Sequence, residues 1–447
     1  MIHNLYSESE QDIDRTLLSL SCLVDKDYEL IKKIKRVRQY YDEPKFWYYS
    51  VDLNDSFLKN DGRHFHSKSS GASLHSQKEA LLKCLCESTE RYCNFFFKKE
   101  STVTTKSINH MNCEFIDPRS ISSFSKNQLK KDEFKKFTID NNSVFRWTDC
   151  ISLLDDKQYL IPSQFIYLSY PYLKNEPSIY SAISTGVAGG ANLSAAIVRG
   201  ICEVIERDSF MIFYLNKITP PKINLKNIDD PEIRKLQSIL DRYKFEIVVL
   251  DITTDIKIPT IASVIINRSG IGKAISVGLK CDFDILKAIS GSIEEALHTR
   301  SWLRSSFEDE PTKVSIQDLQ KSSDIKLRGF LWYDTEAIKN LDFWICNTKL
   351  KNVNYNSKIM KSGEKLKRLI EIFKIKNYDI YYKDITIEKF KKLNYHIVKV
   401  IIPKMQPIYL NEKYPLLGGD RLYKVPEKLG FKIKSEKELN KFPHPFL

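Results

Sequence analysis

The stretch Ser184-Thr185-Gly186-Val187-Ala188-Gly189-Gly190-Ala191-Asn192, running on to Glu203-Val204-Ile205-Glu206-Arg207, decides how the chain is read. From Asn192 apolar residues recur at helical spacing, which predicts a Gly-rich loop feeding a long helix over 192–214. Glycines let backbone N–H groups approach an anion, and a helix N-terminus favours it. The pattern G-x-x-x-x-G-K-[ST] is absent, so this is not the common phosphate loop. Residues 179–198 carry no charge and are long enough to span a bilayer. Ser181, Ser184, Thr185, Asn192, Ser194 and three Gly within them argue instead for a buried loop and helix.

The helix has two counterparts. In the first, predicted over 77–97, Ala80 stands seven residues before Glu87-Ser88-Thr89-Glu90-Arg91. In the second helix Ala196 stands seven before Glu203, and in the third, predicted over 284–304, Ala288 stands seven before Glu295-Ala296-Leu297-His298-Thr299-Arg300. Residues i and i+3 share a helical face, and i−7 lies two turns away on it. Two carboxylates side by side repel unless a cation sits between them. Convergence of the three helices would gather Glu87, Glu90, Glu203, Glu206 and Glu295, hard oxygen ligands suited to Mg²⁺ with phosphate oxygens completing the shell. Arg91, Arg207 and Arg300 would then neutralise phosphate. A lone E-x-x-E-R is usually a solvated face, but matched copies in apolar helices are not. A di-iron bundle needs two E-x-x-H helices, and here there is one.

Between the helices lie β-like runs over 144–147, 159–168, 246–252, 260–266, 274–279, 378–382 and 396–402, with helices predicted at 12–24, 364–373 and 387–393. Residues 29–41 read as a basic helix or a strand edge, and 61–73 as a polar loop. The pattern is α/β or α+β, with mixed sheets and long helices. Residues 1–55 are expected to form an N-terminal segment packed on one main domain over 56–447.

Composition sets the bounds. The chain has 447 residues, 42% of them hydrophobic and 28% charged, enough for a large core and against wholesale disorder. The net charge is +13, but Lys is scattered and forms no dense basic arm, so nucleic acid is not an expected partner. Nine cysteines include no C-x-x-C, against a zinc ribbon or a disulfide framework. The first residues show no signal-peptide pattern, and a cytoplasmic protein without a membrane span is expected.

In ordered combination these motifs resemble the YcaO family, over roughly 61–447. The segments Ser76–Arg91, Ser184–Asp208, Ala288–Arg300, Pro403-Lys404-Met405-Gln406-Pro407 and Gly418-Gly419-Asp420-Arg421-Leu422-Tyr423 carry the resemblance. It implies an unusual ATP-binding fold, with Glu87, Glu90, Glu203, Glu206 and Glu295 as Mg²⁺ ligands. Arg207 and Arg300 would contact nucleotide or phosphate, with Arg91, Arg199 and Ser184 beside them. The end, Phe442-Pro443-His444-Pro445-Phe446-Leu447, resembles the Pro-rich tail of azoline-forming members, which reaches the active site. Proline stiffens such a tail. His444, Pro445 and the terminal carboxylate of Leu447 are therefore candidate catalytic groups, His444 and Leu447 as general base. Lys83, Ser73, Thr185, His298 and the Pro-Phe-Leu ending depart from the family pattern without touching a Glu.

The resemblance implies ATP-dependent cyclodehydration of a ribosomal precursor peptide, as in the D component of thiazole/oxazole-modified microcin synthetases of the streptolysin S type. It implies an E1-like or leader-binding C partner, a flavin dehydrogenase acting afterwards, and a homodimer or hetero-complex. Thioamide formation on the same fold, a non-catalytic scaffold and a basic nucleic-acid binder are the alternatives. The tail argues against the first, the five Glu against the second, and the triple Glu pattern against the third.

Overall fold

A computed structural model describes residues 5, 12–24, 30–54, 68–95, 97, 101–309, 311–322, 324–355 and 360–447. The chain divides into two compact units, one of Met1–Val37, Phe46–Val204 and Met360–Lys404, the other of Arg38–Lys45, Ile205–Ile359 and Met405–Leu447. This differs from the expected break near residue 55: most of the N-terminal segment belongs to the first unit, and 38–45 to the second.

The first unit holds α1 (Ile13–Ser21) and a three-stranded antiparallel sheet of β1 (Ile31–Arg36), β2 (Trp47–Leu53) and β3 (Lys68–Ser73). Helix α2 (Gln77–Phe95) lies against β3. The helix turns a small face to the strand, with Ala80, Cys84 and Ser88 all buried. Ser88 Oγ donates to the Cys84 carbonyl at 2.7 Å and meets Ser69 Oγ at 2.5 Å. The apolar positions read from helical spacing are thus only half the face; the rest is small polar residues satisfied locally.

The unit's larger sheet runs β4 (Thr104–Ser107), β5 (Val144–Ser152), β13 (Tyr381–Asp384), β14 (His396–Ile401), β7 (Val187–Gly190), with β6 (Gln158–Pro162) paired to β5. Phe145, Trp147, Ile161 and Ile397 fill its core and are fully buried. The Gly-rich stretch expected to be all loop is a strand in its second half, pairing antiparallel with β14 in the register Gly189↔Ile397 and Val187↔Lys399. Its Gly and Ala have little intrinsic strand preference, and pairing decides the outcome. Helix α3 (Leu193–Leu215) follows β7, its residues to Val204 in the first unit and the rest in the second.

In the second unit the sheet order is β11 (Ile275–Cys281), β10 (Thr260–Ile266), β9 (Glu246–Asp251), β8 (Lys222–Ile223), β12 (Leu350–Lys351). All of β10 is buried, as its unbroken Thr-Ile-Ala-Ser-Val-Ile-Ile run requires. Helix α4 (Pro231–Arg242) starts on an Asp230 cap that accepts from Glu232 N and Ile233 N. Helix α5 (Ile285–Asp309) lies on β11 and β10. Gly278 makes that approach possible, since a Cβ there would sit 2.1 Å from the Ser292 carbonyl oxygen and 2.3 Å from Ala296 N. Backbone atoms cannot swing aside. Gly278→Ala is expected to cost about 3 kcal/mol, read from the denaturant midpoint at unchanged m.

After α6 (Ser362–Lys376), in the first unit, and β13 and β14, the chain enters the second unit again and forms α7 (Arg421–Lys428). Arg421 opens α7 and is buried. Its Nε and Nη2 donate to the two Asp208 oxygens at 2.7 and 2.6 Å, and Nη2 also donates to Asp255 at 2.9 Å. Gln406 N donates to Asp208 at 2.7 Å. The Asp208 that follows Glu206-Arg207 therefore ties together the two late motifs at 403–407 and 418–423. All nine cysteines are free. Among the described residues no helix is long and apolar enough to cross a membrane.

Candidate functional site

Each of the five predicted glutamates accepts a backbone N–H from a strand or turn beside its helix. In the first unit Glu87 takes Ser70 N at 2.8 Å, Glu90 takes Gly189 N at 2.7 Å and Glu203 takes Gly186 N at 3.1 Å. In the second, Glu206 takes Cys281 N at 3.0 Å and Glu295 takes Leu279 N at 2.5 Å. One oxygen of each is thus fixed to the sheet scaffold. Holding a carboxylate by one oxygen orients the other, which is how outer-shell bonds prepare a metal ligand.

The carboxyls feel one another. Burial pushes Glu90 up to about 8, with the charges of Glu87 and Glu203 adding and Gly189 N–H and Arg199 opposing. Burial likewise pushes Glu295 up to about 7, with Glu206 adding and Arg207 opposing. Within each unit, then, acidic side chains act on one another, Glu87 and Glu203 on Glu90, and Glu206 on Glu295. Hard oxygens of this kind fit Mg²⁺. Among the described residues, no three His, Cys, Asp or Glu side chains sit together in a group that could hold a metal ion.

A proton and a bound cation would compete for these oxygens. Both carboxyls hold protons in the folded chain at pH values where the unfolded chain has lost them. The folded state gains from this at low pH, and the gain is lost as pH rises from about 4.5 through about 7 for Glu295 and about 8 for Glu90. Mg²⁺ affinity is expected to move the opposite way, rising up to tenfold per pH unit per proton displaced below pH 7. Calorimetric titration of Mg²⁺ at pH 6 and pH 8, in buffers of different ionisation enthalpy, checks both the affinity and the proton release.

The arginines have different places. Arg91 donates through Nε and Nη2 to Glu87, at 2.9 and 2.7 Å, and is partly exposed. Arg199 Nη1 donates to the Gly189 carbonyl at 2.8 Å. Gly189 is therefore held at both ends, by Glu90 and by Arg199, and a Cβ on it would lie 2.3 Å from the Tyr395 hydroxyl. Arg207 pairs with Glu206 and lies 4.3 Å from the centre of the Phe446 ring. Ser184 is exposed, and its carbonyl accepts Val187 N at 2.8 Å to close the turn.

Arg300 does not have the expected place. It is fully buried, grips both Glu43 oxygens at 3.0 and 2.8 Å, donates to the Lys273 carbonyl at 2.6 Å and lies over Phe245. A phosphate would have to displace Glu43. The residue instead ties 38–45 to α5, together with Arg304, which donates to Asp42 at 2.8 Å.

His444 is also corrected. It is fully buried among the rings of Phe210, Tyr409 and Tyr214, and its Nε2–H donates to the Tyr409 carbonyl at 2.9 Å. Burial holds its pKa well below the usual 6.5. A ring with its N–H committed and no access is an anchor for the tail, not a general base. Tyr214 Oη and Trp332 Nε1 donate to the Pro443 carbonyl at 3.0 and 3.1 Å, Pro445 is buried, and Leu447 is partly exposed. The tail does reach the predicted site residues of its own unit, through Phe446 on Arg207. Sequence reasoning missed Phe446, Glu43 and Lys399. Only Phe446 had a local signal, as the one aromatic ring in the final Pro-Phe-Leu.

A family model described as YcaO cyclodehydratase, ATP- and Mg²⁺-binding, matches residues 71–406. A solved heterocyclase in complex with substrate and cofactor superposes with a TM-score of 0.80 at 21% identity, over 99% of this chain and 60% of that one. YcaO from Methanopyrus kandleri, bound with AMPPCP and Mg²⁺, gives 0.66 at 13% identity, over 93% and 97%. The E. coli microcin synthetase McbBCD complex with pro-MccB17 bound gives 0.59 at 15% identity, over 86% and 96%. At these identities the likeness shows the shared α+β fold. The chain spans less than half the length of the curated relatives it matches, one of them an uncharacterised protein of Methanothermobacter thermautotrophicus, 23% identical over 42% of this chain and 45% of that protein.

Proposed function

The chain belongs to the YcaO cyclodehydratase family, and we propose that it forms thiazoline or oxazoline rings in a ribosomal precursor peptide at the expense of ATP. The observation that carries the reading is the set of five glutamates, each with one oxygen fixed by a backbone N–H. Glu87, Glu90 and Glu203 in one unit, and Glu206 and Glu295 in the other, are the proposed Mg²⁺ ligands. Bound Mg²⁺ supplies charge neutralisation at the ATP phosphates.

A Cys thiol, or a Ser or Thr hydroxyl, attacks the preceding backbone carbonyl. The oxyanion takes the γ-phosphoryl group of ATP, and its departure as phosphate leaves the C=N bond of the ring. The protein positions groups and stabilises charge, as phosphoryl transfer requires. Arg207 and Arg199 are the proposed phosphate contacts, each already oriented by a first partner, Glu206 and the Gly189 carbonyl. Ser184 and Arg91 are proposed to line the nucleotide's approach. Of the tail residues, Leu447 is the one after Phe442 that packing leaves partly exposed.

A leader-binding C protein and a flavin dehydrogenase are the proposed partners, in a homodimer or hetero-complex of the microcin-synthetase kind. The test is phosphate release from Mg-ATP with and without the partner and a Cys-rich precursor, with peptide mass followed in parallel. One water mass lost per phosphate released supports cyclodehydration. Oxygen replaced by sulfur in the presence of sulfide points to thioamide formation. Salt-dependent RNA binding without ATP turnover contradicts both.

A further inference from the structure

Lys399, on β14, is buried at 4% exposure, and no motif drew attention to it. Its Nζ donates to two main-chain carbonyls, Ile183 and Thr185, each at 2.8 Å. Burying an ammonium on neutral acceptors is costly. Burial pulls Lys399 down to about 8, against the pull of Glu203. A strand that needed only an inward-facing side chain would carry Val or Ile there, as its neighbours Val398 and Val400 do.

The geometry shows what the charge holds. The Thr185–Gly186 peptide has its carbonyl on Lys399 and its N–H on Glu203, at 2.8 and 3.1 Å. In a trans peptide these two groups point in opposite directions from one rigid plane. Among the described residues no peptide bond is cis. Turning the carbonyl toward Lys399 therefore turns the N–H toward Glu203. Gly186 has φ +86°, and its own carbonyl accepts Val400 N at 2.8 Å, so the next residue is fixed too. A Cβ on Gly186 would lie 2.3 Å from the Val400 carbonyl oxygen. The second Lys399 bond, to Ile183, sets the peptide before Ser184 in the same sense.

We infer that Lys399 is a positioning residue for Glu203, acting through the Thr185–Gly186 peptide plane, and that it thereby sets the protein's affinity for Mg²⁺. The inference rests on the reading of Glu203 as a Mg²⁺ ligand. It assigns β14 a part in the site that its sequence, His396 to Ile401, does not display.

The experiment is Mg²⁺ titration of three variants of the full chain by calorimetry, beside the Mg²⁺ and ATP dependence of phosphate release. Lys399→Met keeps length and loses both donors. It is expected to weaken Mg²⁺ binding by about tenfold, the lower end of the usual effect for an outer-shell partner. The half-saturating ATP concentration at saturating Mg²⁺ should change far less. Lys399→Arg, still able to donate to both carbonyls, should bind Mg²⁺ more nearly as the native chain does. Hydrogen exchange of a peptide covering 183–187 should speed up in Lys399→Met, whether or not turnover survives. Glu203→Gln separates the two claims. Unchanged Mg²⁺ affinity and exchange in Lys399→Met, beside lost affinity in Glu203→Gln, overturns the role of Lys399 and leaves the site reading intact. Native affinity in Glu203→Gln overturns both. Lys399→Gln, which is one bond shorter and uncharged, serves if the Met variant does not fold.

Discussion

Glu203→Gln is expected to fold like the native protein and to turn over Mg-ATP about 100- to 1,000-fold more slowly, the loss typical of one charge-stabilising group. The substitution keeps an oxygen for Gly186 N and removes only the charge. Glu203→Ala loses both, and should add a stability cost of about 1 kcal/mol for the lost bond. The contrast matters because Glu203 has two tasks, bracing the turn at 184–187 and offering a charged oxygen. If Gln and Ala were equally unstable and equally inactive, the loss would be structural. If Gln were fully active, Glu203 would not be a ligand. Circular dichroism and phosphate release on the same preparations decide between these.

Arg421→Met is expected to destabilise the protein by about 3–5 kcal/mol, because it leaves Asp208 buried without its cation and Asp255 with only Lys428 at 3.9 Å. Burial already raises Asp208 above the usual carboxylate range, with Arg421 and Gln406 N–H opposing. For a unit of this size the midpoint of thermal unfolding should fall by roughly 6–20 °C. Lys at this position should recover little, since a single ammonium cannot make the two parallel bonds to Asp208. Adding Asp208→Asn to Arg421→Met should return part of the loss by removing one stranded charge. A double-mutant cycle reads that coupling directly. No recovery would place the cost in lost packing instead.

The long helices were legible because their period is local. The expected spans 77–97, 192–214 and 284–304 meet helices at Gln77–Phe95, Leu193–Leu215 and Ile285–Asp309. The strand at 260–266 was legible for a similar reason, an uncharged run rich in β-branched residues. Strand β7 was hidden because Val-Ala-Gly-Gly has no strand signal of its own and gains order only from β14, some 200 residues on. The basic Ile-Lys-Lys-Ile-Lys-Arg of β1 was ambiguous because an edge strand with five partly or wholly exposed positions has no clean alternation.

The glutamates were legible in type and spacing, but their backbone partners were not. Arg300 was misplaced for a physical reason. Its partner Glu43 lies 257 residues away, so nothing near it in sequence says that its donors are taken. His444 sits in a Pro-rich end that looks exposed in sequence, and only the rings of Phe210, Tyr214 and Tyr409 bury it. Lys399 looked like one more lysine in a lysine-rich chain until its two carbonyl partners, more than 200 residues earlier, came into view.

The most direct test of the central claim follows one oxygen atom. A precursor peptide is made with heavy oxygen in the backbone carbonyl that precedes a cyclising Cys, and is turned over with the chain, its partner and Mg-ATP. Activation of the amide oxygen by ATP predicts that the label leaves the peptide and appears in inorganic phosphate, one labelled phosphate per ring. Rings formed with the label released as water, and unlabelled phosphate, would contradict the account.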